Sequence, residues 1–381
     1  MDLMFGLGVL SLVIWIVLIF AHGDFWRVRL PAASPLPAHW PSVVAVIPAR
    51  NEADVLEEAL GSVLGQNYPG ELVAFLVDDH STDETAQIAQ AMAKRSGKGG
   101  LHVIAARDLP SGWTGKVWAQ AEGVAAAATQ APGAAYIWFT DADIRHGPDA
   151  LEALVARAID QDYVLTSLMV RLNCASFAEK ALIPAFVLFF AMLYPFAWVN
   201  KPRARTAAAA GGCMLVSRNA LARVGGMAAI ADAVIDDCAL ARVLKRVGTI
   251  RLDLADSSVS LRQYPRWQSI GNMISRSAYT QLHYSFWLLL ATCLGLGVTF
   301  GVPPLLSLTG ASGAGPALAA WGLMCLSYVP LLRYYDRSIA WAPLLPLVAL
   351  FYVLATLESA RRYWLGQGAQ WKGRSQAPLR D

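Results

Sequence analysis

The fold class this sequence predicts is α/β: a mainly parallel, Rossmann-like sheet in a cytoplasmic domain, held by one N-terminal and two to three C-terminal membrane helices. Three observations predict it. Apolar residues make up 56% of the 381 residues and charged residues 15%, against about 25% charged in soluble domains. Buried-type strands at 43–48, 72–77 and 136–139 each run into polar residues and alternate with helical patterns, the rhythm of βαβ units with right-handed crossovers. Uncharged apolar runs of bilayer length occur at 3–21 and again beyond 286. The net charge of +3 is too small to argue for a nucleic-acid partner. Five scattered cysteines without a CxxC pair read as reduced thiols in a cytoplasmic or membrane setting.

The run 3–21 lacks the basic flank and cleavage pattern of a signal peptide. Arg27 and Arg29 follow it, so the positive-inside rule puts the amino terminus outside and the next residues in the cytoplasm. Residues 1–24 are the anchor, and the proline-rich residues up to 41 a stiff linker. The catalytic-type domain then spans 42–265.

Its first strand ends at Pro48, and Asn51 suits the N-cap of a helix running to about Leu64. The second ends in Asp78-Asp79-His80-Ser81-Thr82-Asp83-Glu84, where Ser81 and Glu84 have capping-box spacing for the next helix. A third short strand fits 102–105, and Gly112-Trp113-Thr114-Gly115-Lys116 opens a helix. The fourth strand, Tyr136-Ile137-Trp138-Phe139, runs into Thr140-Asp141-Ala142-Asp143. Ligands of open α/β sheets bind at such carboxyl ends. An Asp-x-Asp there suits Mg²⁺ or Mn²⁺ completed by substrate phosphates. The alternative is that these carboxylates cap the helix that Pro148 and Asp149 begin. No GxGxxG or GxxxxGK[ST] is present, which disfavours dinucleotide and P-loop binding. The acidic strand ends favour a sugar nucleotide.

Residues 181–199 are long enough to span, but polar motifs precede and follow them, and one site cannot be split by a bilayer. Broken by Pro184 and Pro195, they read as an interfacial or re-entrant segment. Gly211-Gly212 before a short strand permits close approach of a ligand, or forms a bulge. Asp236-Asp237 opens a helix closed by Lys245 and Arg246, an arrangement the helix dipole alone would favour. Gln263, Arg266 and Trp267 follow. Arginine can clamp a diphosphate, and tryptophan offers a flat face to a ring. An amphipathic helix over 266–284 lies along the membrane, followed by apolar runs at 286–308, 316–332 and 339–357. Four full spans from an outside start would strand the basic tail, 359–381, outside. The last run, with Pro343 and Pro346, is therefore a re-entrant hairpin or a boundary is misplaced.

Pro48-Ala49-Arg50-Asn51-Glu52, Asp78-Asp79-His80-Ser81-Thr82-Asp83, Thr140-Asp141-Ala142-Asp143, Asp236-Asp237 and Gln263-x-x-Arg266-Trp267, in that order, resemble the family 2 glycosyltransferases of GT-A fold, membrane-bound branch. The resemblance implies Asp237 as general base of a single inverting displacement. It implies a nucleotide-sugar site with Pro48, Arg50, Glu52, Asp79, Lys116, Asp141 and Arg266. Asp143, with Asp141, would hold the metal. Gly211, Gly212, Asp236, Gln263 and Trp267 would border the acceptor. His80 stands where the family often has Gly or Asn. The Gly-Trp-Thr-Gly-Lys stretch and the tail Trp371-Lys372-Gly373-Arg374 are most similar to bacterial hopene-associated glycosyltransferases. That implies a UDP-sugar donor, a membrane lipid acceptor in hopanoid metabolism, and the bacterial inner membrane. The alternatives are a processive polysaccharide synthase and a non-catalytic scaffold of a lipid-synthesis complex.

Overall fold

The structure, a computed structural model, describes residues 2–96, 100–367, 370–371 and 374–375, the last four by backbone alone. Helix α1 (Leu3–Ala21) leads through an extended stretch to β1 (Val43–Ala49), α2 (Ala53–Leu64), β2 (Leu72–Asp78), α3 (Thr85–Arg95) and β3 (Leu101–Ala105). Then come α4 (Gly115–Gln130), β4 (Tyr136–Thr140), β5 (Ile144–Arg145), α5 (Ala150–Asp160) and β6 (Tyr163–Arg171). After α6 (Phe177–Leu193) and α7 (Phe196–Val199) the chain returns through β7 (Cys213–Ser217), α8 (Arg218–Arg223), α9 (Asp236–Leu244) and β8 (Thr249–Ser260).

The eight strands form one mixed sheet in the order β3-β2-β1-β4-β7-β6-β8-β5. β1, β2, β3 and β4 are mutually parallel, whereas β7 runs antiparallel to both β4 and β6. β1 is buried along its whole length, as a central strand covered on both faces must be. Because β7 is reversed, the start of β7 and the end of β4 meet at one rim, Thr140 opposite Cys213. That rim receives every acidic motif except the Asp78-Asp79 pair, which ends β2, two strands from β4.

Several capping expectations are corrected. Asn51 does not cap α2. It lies in the left-handed region (φ 52°), and its Oδ1 accepts the Thr82 amide at 2.8 Å. The α2 amino end is capped from the next loop: Thr85 Oγ1 accepts the Glu52 amide at 2.8 Å and Asp83 accepts that of Ala53 at 3.2 Å. Ser81 likewise turns away from α3 to accept the Asn51 amide, so no Ser81–Glu84 box forms. The two loops hold each other, and each cap is spent across the gap. Nor do Asp141 and Asp143 cap α5, whose N-cap position is Asp149. His80 has φ 56°, the conformation glycine and asparagine adopt most cheaply.

Among the described residues five helices are long and apolar enough to cross a membrane: Leu3–Ala21, Phe177–Val199, Phe286–Thr309, Ala314–Tyr334 and Ile339–Trp364. The second leaves the sheet at Arg171 and re-enters it in the neighbouring strand at Cys213, so both its ends are held on the sheet's side. The expected amphipathic helix is broken into α10 (Trp267–Ser275) and α11 (Ala278–Gln281). Beyond lie α12 (Phe286–Leu296), α13 (Val302–Thr309), α14 (Ala314–Tyr334) and α15 (Leu345–Trp364). Helix α1 packs against α14, and a Cβ on Gly8 would lie 2.5 Å from the Gly313 carbonyl oxygen. Small residues thus allow close backbone approach. At the other end of α14, Arg171 meets Asp336 at 2.5 Å.

The last apolar run is not a hairpin. Pro343 sits in a 3-10 turn (Ile339–Leu344) and Pro346 in the first turn of α15, where proline has no intrahelical bond to lose. Helix α15 runs alongside α10 and α11. Phe351 faces Trp267, the Ser359 hydroxyl donates to the Ser275 carbonyl at 2.5 Å, and Arg362 donates to Asn272 at 2.7 Å. Part of the basic tail, including Lys372, Gly373 and Arg380, lies outside the described residues.

Candidate active site

At the β4/β7 rim a cavity of about 310 Å³ opens. Its polar wall carries Glu52, Lys116, Asp141, Asp143, Asp236, Asp237, Arg262 and Arg276, with Pro48 and Gly211-Gly212 beside them. Its apolar wall comes from β6 (Met169, Val170), α6 (Phe186, Phe190) and α10 (Met273). The carboxylates of three separate sequence motifs therefore share one cleft.

Each is placed by its element. Asp141 and Asp143 follow β4, and beneath them Thr140 Oγ1 bonds His146 Nε2 at 2.8 Å. His146 is buried against the Trp138 ring, and its other nitrogen meets Ser258 at 2.9 Å. Burial pushes its pKa down to about 3, so it is a neutral buttress for the strand end. No sequence motif marks it. Asp236 and Asp237 begin α9. Asp237 Oδ2 accepts the Gly211 amide at 2.9 Å, and its Oδ1 accepts the Cys238 amide at 2.7 Å. A Cβ on Gly211 would stand 3.1 Å from Lys116 Nζ and 3.4 Å from Asp237 Oδ2. A side chain at that position would press on Lys116 and Asp237, so glycine fits it with least crowding.

Lys116, at the start of α4, lies between the motifs, 2.9 Å from Asp141 and 3.3 Å from Asp236. Burial alone would lower its pKa, but Asp141, Asp236 and Asp237 together raise it, so it is a fixed ammonium. Burial also acts on Asp141, yet Lys116, with Arg262 and Arg276, holds its pKa below the ordinary value. Asp237 goes the other way. Burial and the neighbouring Asp236 push it up to about 6, against the opposing pull of Lys116 and the two amides. Two carboxylates in one cleft are thus driven apart in basicity, as acid–base chemistry requires.

Not every expected residue arrives. Gln263, Arg266 and Trp267 are exposed and outside the cavity lining; Trp267 packs on Phe177 and Phe351 instead. The arginines in the cleft are Arg262 and Arg276. Arg262 is brought there because β5 pairs with the end of β8, Ile144 opposite Ser260, and the Leu261 amide donates to the Asp143 carbonyl at 2.8 Å. Tyr264 joins the lining too. Asp79 is buried at the end of β2, two strands from β4, and does not line this cavity. Arg50 reaches its carboxylate at 3.5 Å and also its carbonyl oxygen.

Glu52, Asp141 and Asp143 offer hard oxygens, yet among the described residues no group of three or more His, Cys, Asp or Glu could hold an ion unaided. This fits Mg²⁺ or Mn²⁺, which binds through one or two carboxylates and takes the rest from substrate phosphates.

A mixed α/β sheet with an Asp-x-Asp strand end facing an acidic helix start defines a transferase domain of GT-A type. Residues 44–225 match the glycosyl transferase family 2 model. A 4,4'-diaponeurosporenoate glycosyltransferase from Staphylococcus aureus is 34% identical over 115 residues, 30% of this chain and 27% of that protein. The match thus spans about a quarter of the curated relative. A mannosyltransferase from Pyrobaculum calidifontis, solved with GDP-Man and Mn²⁺, shares the fold at TM-score 0.57 and 16% identity, over 93% of this chain and 97% of that one. Glucosyl-3-phosphoglycerate synthase from Mycobacterium tuberculosis aligns at TM-score 0.42 and 18% identity, over 69% of this chain and 84% of its own.

Proposed function

We propose that this chain is a membrane-bound inverting glycosyltransferase moving a hexose from a nucleotide-sugar to a membrane lipid, in hopanoid metabolism. The observation that carries the reading is the single cleft in which Asp143, Asp141 and Asp237 face an apolar wall from α6 and α10. The sequence motifs support the hopanoid context. The relative named for glycosylating 4,4'-diaponeurosporenoate supports an acceptor other than a sugar polymer.

In this reading Asp237, ionised above about pH 6, takes the proton from the acceptor hydroxyl as that oxygen attacks the anomeric carbon. The Gly211 and Cys238 amides fix its orientation. Lys116 and Arg276 face the diphosphate. Asp143 and Asp141 hold the divalent ion, which when bound stabilises charge on the leaving diphosphate as a Lewis acid. Pro48, Arg50, Glu52 and Asp79 form the nucleotide side. Gly211, Gly212 and Asp236 border the acceptor, whose apolar part lies against Phe186 and Phe190.

The same reading places α1, α12–α13 and α14 across the inner membrane, with the domain in the cytoplasm. Helix α6 rests in the near leaflet, and α15 follows α10 and α11 along the interface. Three crossings from an outside start put the basic tail inside, as the positive-inside rule asks.

Labelled sugar transfer by wild type, Asp143→Asn and Asp237→Asn tests it. One sugar on an extracted lipid, lost in both variants, supports the reading. A polymer product points to a polysaccharide synthase. Lipid products unchanged in both variants point to a non-catalytic scaffold.

A further inference from the structure

Arg262 belongs to none of the motifs that resemble a known family, yet it makes the tightest contacts in the cleft. Its Nε donates to Asp143 Oδ2 at 2.6 Å and its Nη2 to Glu52 Oε1 at 2.6 Å. The two carboxylates come from opposite lips, one after β4 and one at the start of α2, and each side chain is only 10% exposed. One guanidinium thus staples the cleft across the carboxylate expected to hold the cation.

The cleft's charges give this a direction. Five carboxylates (Glu52, Asp141, Asp143, Asp236, Asp237) face three cations (Lys116, Arg262, Arg276), a deficit of two. A divalent ion supplies that charge, but the oxygen it needs is already in a charge-assisted bond. An ion at Asp143 and a guanidinium on the same oxygen repel each other, so binding one must loosen the other. Arg262 is also mounted to move as a side chain. It follows the end of β8 in a stretch outside helix and strand. The backbone on either side is pinned, by the Leu261 amide to the Asp143 carbonyl and by the Tyr264 amide to buried Glu179 at 2.6 Å.

We infer that Arg262 is a placeholder for the divalent cation: it occupies Asp143 and Glu52 while the ion is absent, is displaced when the ion binds, and then turns to the donor diphosphate. The inference rests on the metal reading given above for Asp143. It makes the ion and the nucleotide bind cooperatively, because the diphosphate accepts the arginine that the ion releases.

The test measures Mn²⁺ affinity of the metal-stripped full chain in detergent, by the paramagnetic resonance signal of free Mn²⁺, with no nucleotide present. Arg262→Gln is expected to bind Mn²⁺ about tenfold or more tightly than wild type, because a charged hydrogen bond worth roughly 1.5–3 kcal/mol no longer competes. Arg262→Lys, which reaches one carboxylate at a time, is expected between them, and Asp143→Asn loses binding. Adding UDP should tighten Mn²⁺ binding in wild type more than in Arg262→Gln. If Arg262→Gln binds Mn²⁺ no tighter than wild type while Asp143→Asn still weakens it, the placeholder role is overturned and the metal site stands. If wild type and Asp143→Asn bind Mn²⁺ equally poorly even with UDP, the metal reading itself falls. Arg262→Lys keeps a cation in the cleft and so guards against a variant that merely fails to fold.

Discussion

Replacing Lys116 with methionine should move the acid limb of the pH–activity profile to higher pH. Its ammonium lies 2.9 Å from Asp141 and 3.3 Å from Asp236, and Asp237 is close enough to feel it. Asp237 already stands at about 6, because burial and Asp236 outweigh that ammonium. An opposite charge at this range holds a carboxylate down by about 1–3 pKa units, or roughly 1.4–4 kcal/mol. Methionine keeps the stem and removes the charge, so the acid limb moves from about pH 6 into the range of roughly 7–9. The sign follows from the role: the base acts when ionised, so activity is lost as pH falls through its pKa. Asp236 and Asp237 lie side by side, and the limb reads the ionisation of Asp237. The assay is kcat/KM for sugar transfer from pH 5 to 9 at saturating metal. Lys116→Arg, which retains the charge, should keep its limb near that of wild type. A Lys116→Met enzyme that is merely slower, with its acid limb unmoved, would refute the claim that the ammonium sets the basicity of the pair.

Other expectations follow from the same geometry. Arg276→Ala should raise the donor KM about tenfold or more, whereas exposed Arg266→Ala should leave it within about twofold; steady-state kinetics with varied donor decide, on the ~1.5–3 kcal/mol scale of charged hydrogen bonds. Phe190→Ala, which opens the apolar wall, should raise the lipid-acceptor KM while slow hydrolysis of the donor to free sugar stays unchanged. His146→Ala removes two buried hydrogen bonds and the ring packed on Trp138. It should destabilise the domain by about 2–4 kcal/mol, read as a lowered midpoint of thermal unfolding in detergent.

The fold was legible because it rests on repetition. Three strands run into polar residues, and the intervening helices carry apolar faces that any covered sheet demands. The clustering of Asp141, Asp143, Asp236 and Asp237 was legible for the same reason, since each opens or closes an element. The caps were not. Asn51 and Ser81 have the right chemistry for their own helices, but two loops at one rim exchange those bonds across the gap. Arg262 was hidden because its place depends on the short β5–β8 pairing, Ile144 opposite Ser260, a contact between residues 116 positions apart in sequence. His146 looked like any isolated histidine. The topology hinged on α15, whose prolines suggested a break. They lie before and within its first turn, so the helix continues beside α10 and α11.

The central claim is that one cleft beside the bilayer holds the donor through Asp143 and deprotonates the acceptor through Asp237. Binding of UDP with Mn²⁺ and sugar transfer, measured on the same preparation of Asp237→Asn, test it most directly. The account predicts nucleotide and ion affinities within about threefold of wild type and transfer reduced by roughly 10²–10⁴-fold, the usual contribution of a general base. Transfer at the wild-type rate by Asp237→Asn would contradict it.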